Sequence, residues 1–437
     1  MNGIGIWLSE ANSLTSFLNI LEVHVMGKQE DISPAKLGVL RDFMPELEKS
    51  LLPLELASTL PPVCYTSQDW YDLEVERIFM KEWLCVGRVD QVENVGDYFT
   101  IDLLGEPLVV IRDEENQVQC LSRVCRHRAA EVIEPGEGNT KRLRCRYHFW
   151  TYDYKGQLIG VPEMADTAGF DRKDVCLPKL RVEIWEGFIF VTFNNDADSL
   201  GPKLAPLSKH LRNYRLAELK SFVLEKRPSE QFPPAKFNWK LLMDNFEEFY
   251  HVLGLHSGSH DPMPTQQSKA ADYNDIYCHS WGHIPGAISE GKTLWSPTGA
   301  NSIIPKMEGL SKEEQELGQF FLIYPNTLFF VSPELVGYYQ VLPRGPGEVE
   351  LTLRTLYRPE TVANLSNFEA ARIAAEANLA FINSEDMWAC ESMQRSYNGV
   401  LTQRSKMQGR LSKWEKPVNN IARWVVTRVL GEDAKIA

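Results

Sequence analysis

Four residues constrain this chain more than any others. Cys125 and His127 lie in the run CRHR, and Cys145 and His148 in CRYHFW. The spacing is C-x-H, seventeen residues, then C-x2-H. Two thiolates and two imidazoles in such pairs make a metal site, and that site needs a scaffold holding short loops rigid. Each pair fits on one tight loop, so two loops at the tip of a small β unit can clamp a metal group from both sides. Zinc and a Rieske-type [2Fe–2S] cluster both accept two cysteines and two histidines. Zinc sites group like ligands, as C-x2-4-C and H-x3-5-H. Here each pair is mixed. Each loop then offers a thiolate to one iron and an imidazole to the other, which favours the cluster.

The surrounding sequence suits a β scaffold. From about residue 61 to 195, short apolar runs such as PLVVIR (107–112), VQCLS (118–122) and GFIFVTF (187–193) are broken by Gly, Asp and Asn. At 437 residues the chain exceeds one ordinary core. The expected division is an N-terminal extension with helices over 1–60, an iron–sulfur domain over 61–196 and a second domain over 197–437. Strands return at 320–357 (FFLIYP, TLFFV, GYYQVL, VELTLRTLY). A long helical pattern follows from Ser366, where Ser366-x-x-Glu369 has the form of a capping box. The fold class is therefore α+β, with an antiparallel sheet and flanking helices in the second domain.

The formal net charge of −13 argues against a nucleic-acid-binding surface and against binding an anionic membrane. No apolar run is long enough to span a bilayer. The other six cysteines are scattered without a disulfide pattern, as expected in a reducing cytoplasm. Residues 1–25 lack a basic leader and a small-residue cleavage site, so they do not read as a signal peptide, and Met26 is an alternative start.

A second constellation lies in DNFEEFYHVLGLH, residues 244–256. Periodicity predicts a helix over Asn238–Leu253 with Gly254 as its stop, so Glu248 and His251 would share a helix face. An iron–sulfur cluster moves single electrons and needs a destination for them. Two histidines and a carboxylate on one side of an iron leave open positions for O2 and substrate. His251 and His256 supply the histidines. The carboxylate must come from elsewhere, with Asp386 in SEDMWACESMQ first, then Glu385 or Glu391.

Four segments in order, CRHR, CRYHFW with TYDYKGQLIGVP, NWKLLMDNFEEFYHVLGLH and SEDMWACESMQRS, resemble the α subunit of the Rieske non-haem iron ring-hydroxylating oxygenases. The likeness spans about residues 65 to 430. It implies that Cys125, His127, Cys145 and His148 hold the [2Fe–2S] cluster, and that His251, His256 and Asp386 hold a mononuclear Fe(II). Glu248 takes the place of the acid that bridges cluster and iron across a subunit boundary, and Asn245 matches an asparagine beside the iron. The resemblance further implies a helix-grip-like catalytic domain and a homotrimer, with or without a small β subunit. Electrons would come from NAD(P)H through a separate ferredoxin, flavin reductase or both.

Two departures from the family pattern stand out. Ala129 and Phe149 occupy places where the family usually has glycine, so a glycine-only conformation cannot be assumed there. Glu248 stands where many aromatic dioxygenases carry aspartate, and resembles the branch acting on quaternary ammonium compounds. The expected reaction is hydroxylation of an aromatic ring or an aromatic/N-methyl compound. The alternatives are oxidation of a choline-, carnitine- or betaine-like substrate and, more distantly, a non-enzymatic Rieske electron carrier. An ammonium substrate would want an aromatic cage, for which Tyr324, Phe329, Tyr338, Tyr339 and Trp281 are available. His279, Trp281 and His283 are expected to border the pocket.

Overall fold

The computed structural model describes residues 34–223, 234–256, 263–287 and 304–431. The expectations for residues 1–25 and for Met26 fall outside these. Among the described residues the chain forms an antiparallel α+β structure with two seven-stranded sheets and one three-stranded sheet.

The first half holds β1 (Leu84–Arg88), β2 (Asp97–Leu103), β3 (Glu106–Arg112), β4 (Val118–Ser122), β5 (Glu137–Asn139), β6 (Leu143–Arg144), β7 (Thr151–Tyr152), β8 (Leu158–Gly160), β9 (Lys179–Trp185) and β10 (Phe188–Thr192). The first sheet runs β1-β10-β9-β4-β3-β2-β5, and β6-β7-β8 form the small sheet. The loop Cys125–Ala130 follows β4, and the loop Cys145–Trp150 joins β6 to β7. Beneath them lies a separate apolar cluster that includes Val109, Ile111, Leu121, Leu143, Tyr152 and Leu158. The two metal-ligand pairs thus rest on one packed base.

The second half holds β11 (Lys220–Val223), β12 (Ser268–Ala270), β13 (Tyr277–His283), β14 (Leu317–Ile323), β15 (Thr327–Val331), β16 (Val336–Gly345) and β17 (Glu348–Tyr357). The order is β11-β17-β16-β15-β14-β13-β12. Every residue of β15, and the first eight of β16, is buried. Such strands are covered on both faces and read as continuous apolar runs, without the alternation of a half-solvated strand. On one face Phe329 and Tyr338 meet Trp185 and Phe188 of the first sheet, with Phe188 edge-on to Tyr338 at 5.1 Å. On the other face Phe320 and Tyr339 meet Phe246 of the helix Trp239–Glu247.

The helices Pro34–Leu51, Phe368–Tyr397 and Lys416–Leu430 complete the second half. The helix expected from Ser366 starts at Phe368 instead, with Asn367 as its cap and no capping box. Glu369 pairs with Arg372, which also binds the buried Glu376 at 2.6 Å. That ion pair takes the carboxylate a capping box would use. Among the described residues no helix is long and apolar enough to cross a membrane.

Candidate metal centres and active site

The two Cys–His loops share one backbone design. Cys125 N–H donates to Ala130 O at 2.9 Å, and Ala129 N–H returns to Cys125 O at 3.0 Å. Cys145 N–H donates to Trp150 O at 2.9 Å, and Phe149 N–H returns to Cys145 O at 3.0 Å. Each loop closes through a left-handed residue, Ala129 at φ 60° and Phe149 at φ 59°. The conformation that suits glycine is therefore kept without glycine, at a cost on the order of 1 kcal/mol each. The paired hydrogen bonds hold it.

These loops suit a cluster. Both thiols are buried, and His127 and His148 sit above them with ring centroids 4.7 Å apart. Trp150 stacks on His127 at 4.7 Å. His148 Nδ1 is buried with no hydrogen-bond partner, which leaves its lone pair for a ligand bond. Burial pushes the Cys125 thiol up, so a thiolate there calls for a bound metal. Tyr152 OH accepts Arg126 N–H at 3.0 Å and lies 3.3 Å from Cys125 Sγ, placed to donate to the sulfur.

The second site differs from expectation in its backbone. Asn238 caps the helix through Lys240 N–H at 3.1 Å, but the helix stops at Glu247, well short of Leu253. Glu248 is extended (φ −99°, ψ 156°). Its carboxylate accepts the N–H groups of Tyr250 and His251 and opens a 3-10 turn at His251–Leu253. The side chain thus replaces the carbonyls a continuing helix would offer. Glu248 and His251 share no helix face, yet Glu248 Oε1 meets His251 Nδ1 at 2.7 Å.

The three predicted iron ligands come together. His256 Nε2 lies 3.0 Å and His251 Nε2 3.6 Å from Asp386 Oδ1. One donor atom from each residue falls within 4.8 Å of the others. Each histidine is held from behind, His251 Nδ1 by Glu248 and His256 Nδ1 by Glu385 Oε2 at 2.8 Å. That arrangement turns both Nε2 atoms toward a common point, as metal-bound histidines require. Asn245 Nδ2 donates to Asp386 Oδ1 at 3.2 Å. Burial pulls the His256 imidazole down, but Asp386 and Glu385 outweigh it and hold the group above its usual value. The donor set fits one Fe(II) with open positions. Of the reserve ligands, Glu385 stands behind a histidine and Glu391 lies 3.9 Å from Arg395. Glu385 thus positions a histidine where the sequence suggests a spare ligand, and its place beside Asp386 is the one sequence sign of that role.

A cavity opens beside Asp386. Phe246, Phe249, Phe320, Phe330, Tyr339 and Ile382 form much of its wall. Of the five aromatics considered for a cage, only Tyr339 faces it. Tyr324 stacks on Trp424 at 4.4 Å, and Phe329 and Tyr338 lie on the opposite sheet face. His279, Trp281 and His283 do not line the cavity. Trp281 stacks on His279, which stacks on Phe321. Burial and His210 bring the His279 imidazole down to about 3. The missed residues, Phe320 and Phe330, carry no sequence sign of which face they take.

Comparison with known proteins agrees with this geometry. Residues 82–177 match the Rieske [2Fe-2S] domain family, and residues 214–431 match the ring hydroxylating alpha subunit (catalytic domain) family. The carnitine monooxygenase oxygenase subunit of Acinetobacter pittii is 31% identical over 82% of this chain and 89% of its own length. The benzene 1,2-dioxygenase subunit alpha of Pseudomonas putida is 28% identical over 68% of this chain and 70% of its own. A solved quaternary ammonium Rieske monooxygenase shares the fold, with TM-score 0.71 and 23% identity over 87% of this chain and 97% of that one. Two metal centres in one chain, with family matches over each, leave no place for a simple electron carrier: the chain belongs to the Rieske non-haem iron oxygenases of the ring-hydroxylating α-subunit type, enzymes that carry a [2Fe–2S] cluster and a mononuclear iron.

Proposed function

We propose that this protein is the terminal oxygenase component that hydroxylates an aromatic ring or an aromatic/N-methyl compound. The observation that carries the reading is the convergence of His251, His256 and Asp386 at a cavity walled by Phe246, Phe249, Phe320 and Phe330. Apolar rings favour a substrate held by contact area and ring–ring geometry.

When bound, the cluster supplies single electrons and the iron supplies O2 activation. Cys125, His127, Cys145 and His148 hold the first, and His251, His256 and Asp386 the second. Glu248 fixes the His251 ring through Nδ1. In an oligomer its carboxylate also meets a cluster histidine of a neighbouring copy, so one acid links the two centres. Glu385 fixes the His256 ring, and Asn245 orients Asp386. The apolar wall excludes water from the reacting face. A cytoplasmic homotrimer, with or without a small β subunit, takes electrons from NAD(P)H through a ferredoxin or flavin reductase. The Rieske domain covers 61–196 and the catalytic domain 197–437.

The test is a substrate screen with labelled O2 and a surrogate reductase, scoring label in the product. Labelled ring alcohols support the reading, whereas label only in products from ammonium substrates would replace it. That second reading, oxidation of a quaternary ammonium compound, draws on the 31% identity to the carnitine monooxygenase subunit and on the same aromatic wall as a cation cage.

A further inference from the structure

Phe330 on β15 and Gly337 on β16 are direct partners across the ladder and share one face of the sheet. A Cβ on Gly337 would lie 2.2 Å from Phe330 Cζ and 2.3 Å from Cε1. No real Cβ sits so close to another carbon. The ring therefore occupies the space that any other residue at 337 would fill. A second cavity residue repeats the arrangement. A Cβ on Gly282 of β13 would lie 2.5 Å from Met263 Cγ and 2.6 Å from Sδ. Neither glycine has a left-handed backbone, so what each contributes is room and not conformation. Phe330 and Met263 are buried and both line the cavity. In an interior packed near crystal density, a ring lifted off Gly337 needs open space, and the cavity that Phe330 lines supplies it.

We propose that Gly337 and Gly282 are specificity-determining residues. By lacking a Cβ they let Phe330 and Met263 lie back against the sheet, and so set the largest substrate admitted beside His251, His256 and Asp386. The proposal rests on the reading above for where substrate lies, but not for which substrate it is.

Binding to the holoenzyme, kept free of O2 and reductant so that nothing turns over, tests it by calorimetry. One series is aromatic alcohols of one, two and three rings, and the other is tetraalkylammonium ions of rising size. Within whichever series binds wild type, Gly337→Ala should weaken the largest member about tenfold more than the smallest. Adding Phe330→Leu should restore the ratio. Gly282→Ala should act in the same direction but less, because methionine adapts more easily than phenylalanine. A uniform loss, an unchanged ratio, or no recovery in the double variant would overturn the proposal. Binding of the ammonium series alone would instead refute the aromatic reading and leave the glycine ratio measurable. If neither series binds, the crystal structure of Gly337→Ala decides. A Phe330 ring turned into the cavity supports the proposal, and a ring still seated over position 337 ends it.

Discussion

The proposed cluster ligands all lie within Cys125–His148, on two loops that close by the same pair of backbone hydrogen bonds. The proposed iron ligands join a 3-10 turn at His251, the nearby His256 and an aspartate 130 residues beyond it on a separate helix. The first centre is local, and the second exists only once the helices have packed. The contrast predicts how each fails. Damage to a loop should remove one metal and spare the other. The iron site should also answer to carboxylates that touch no metal at all.

The largest expected effect separates the centres outright. Asp386→Ala should bring iron content to background and abolish turnover while the cluster's visible spectrum persists. Cys145→Ser should do the reverse, bleaching the cluster and leaving iron bound. Iron retained in the first variant would remove Asp386 from the ligand set. Glu248→Gln comes next. Both metals should stay bound, while single-turnover electron transfer between them slows roughly 10–100-fold. Unchanged rates would reduce Glu248 to the cap of its turn.

Glu385→Gln sharpens the comparison further. Iron affinity should fall about 10-fold, read by chelator competition, with cluster absorbance unchanged. Equal affinity would mean that His256 needs no support from behind. The effect that reaches the two centres least concerns Glu247, which is buried, accepts a hydrogen bond from Ser280 Oγ at 3.0 Å and is pushed up by burial to about 8. A carboxyl raised in the fold favours the folded state at low pH. That advantage is complete below the ordinary glutamate value and is lost as pH climbs to about 8. Glu247→Gln should therefore flatten the fall in melting temperature across that window. A parallel pH profile in both proteins would show that Glu247 is not protonated in the fold.

The same contrast explains what the sequence could disclose. The cluster site was legible because four ligands at fixed spacing leave few alternatives. His251, His256 and Asp386 were legible through the order of segments, not through any local rule. The break at Glu248 was hidden because NWKLLMDNFEEFYHVL keeps helical periodicity, while a side-chain carboxylate decides where the backbone turns. The missing capping box at Ser366 has a similar cause, since Glu369 finds Arg372 instead. The cavity wall was least legible of all. Tyr338 and Tyr339 are neighbours of the same type on a strand buried on both faces, and only tertiary packing says that one meets Phe188 and the other meets substrate space. The left-handed Ala129 and Phe149 lie between these extremes, for the loop hydrogen bonds that impose the conformation are themselves local.

The aromatic seam of Trp185, Phe188, Phe329 and Tyr338 has one more consequence. It belongs to a single apolar cluster that draws on β1, β9 and β10 as readily as on β14, β15 and β16. Two halves that share a core cannot melt one at a time without exposing it. Heating should therefore give one calorimetric transition, with the cluster's colour and the helical signal lost at the same temperature.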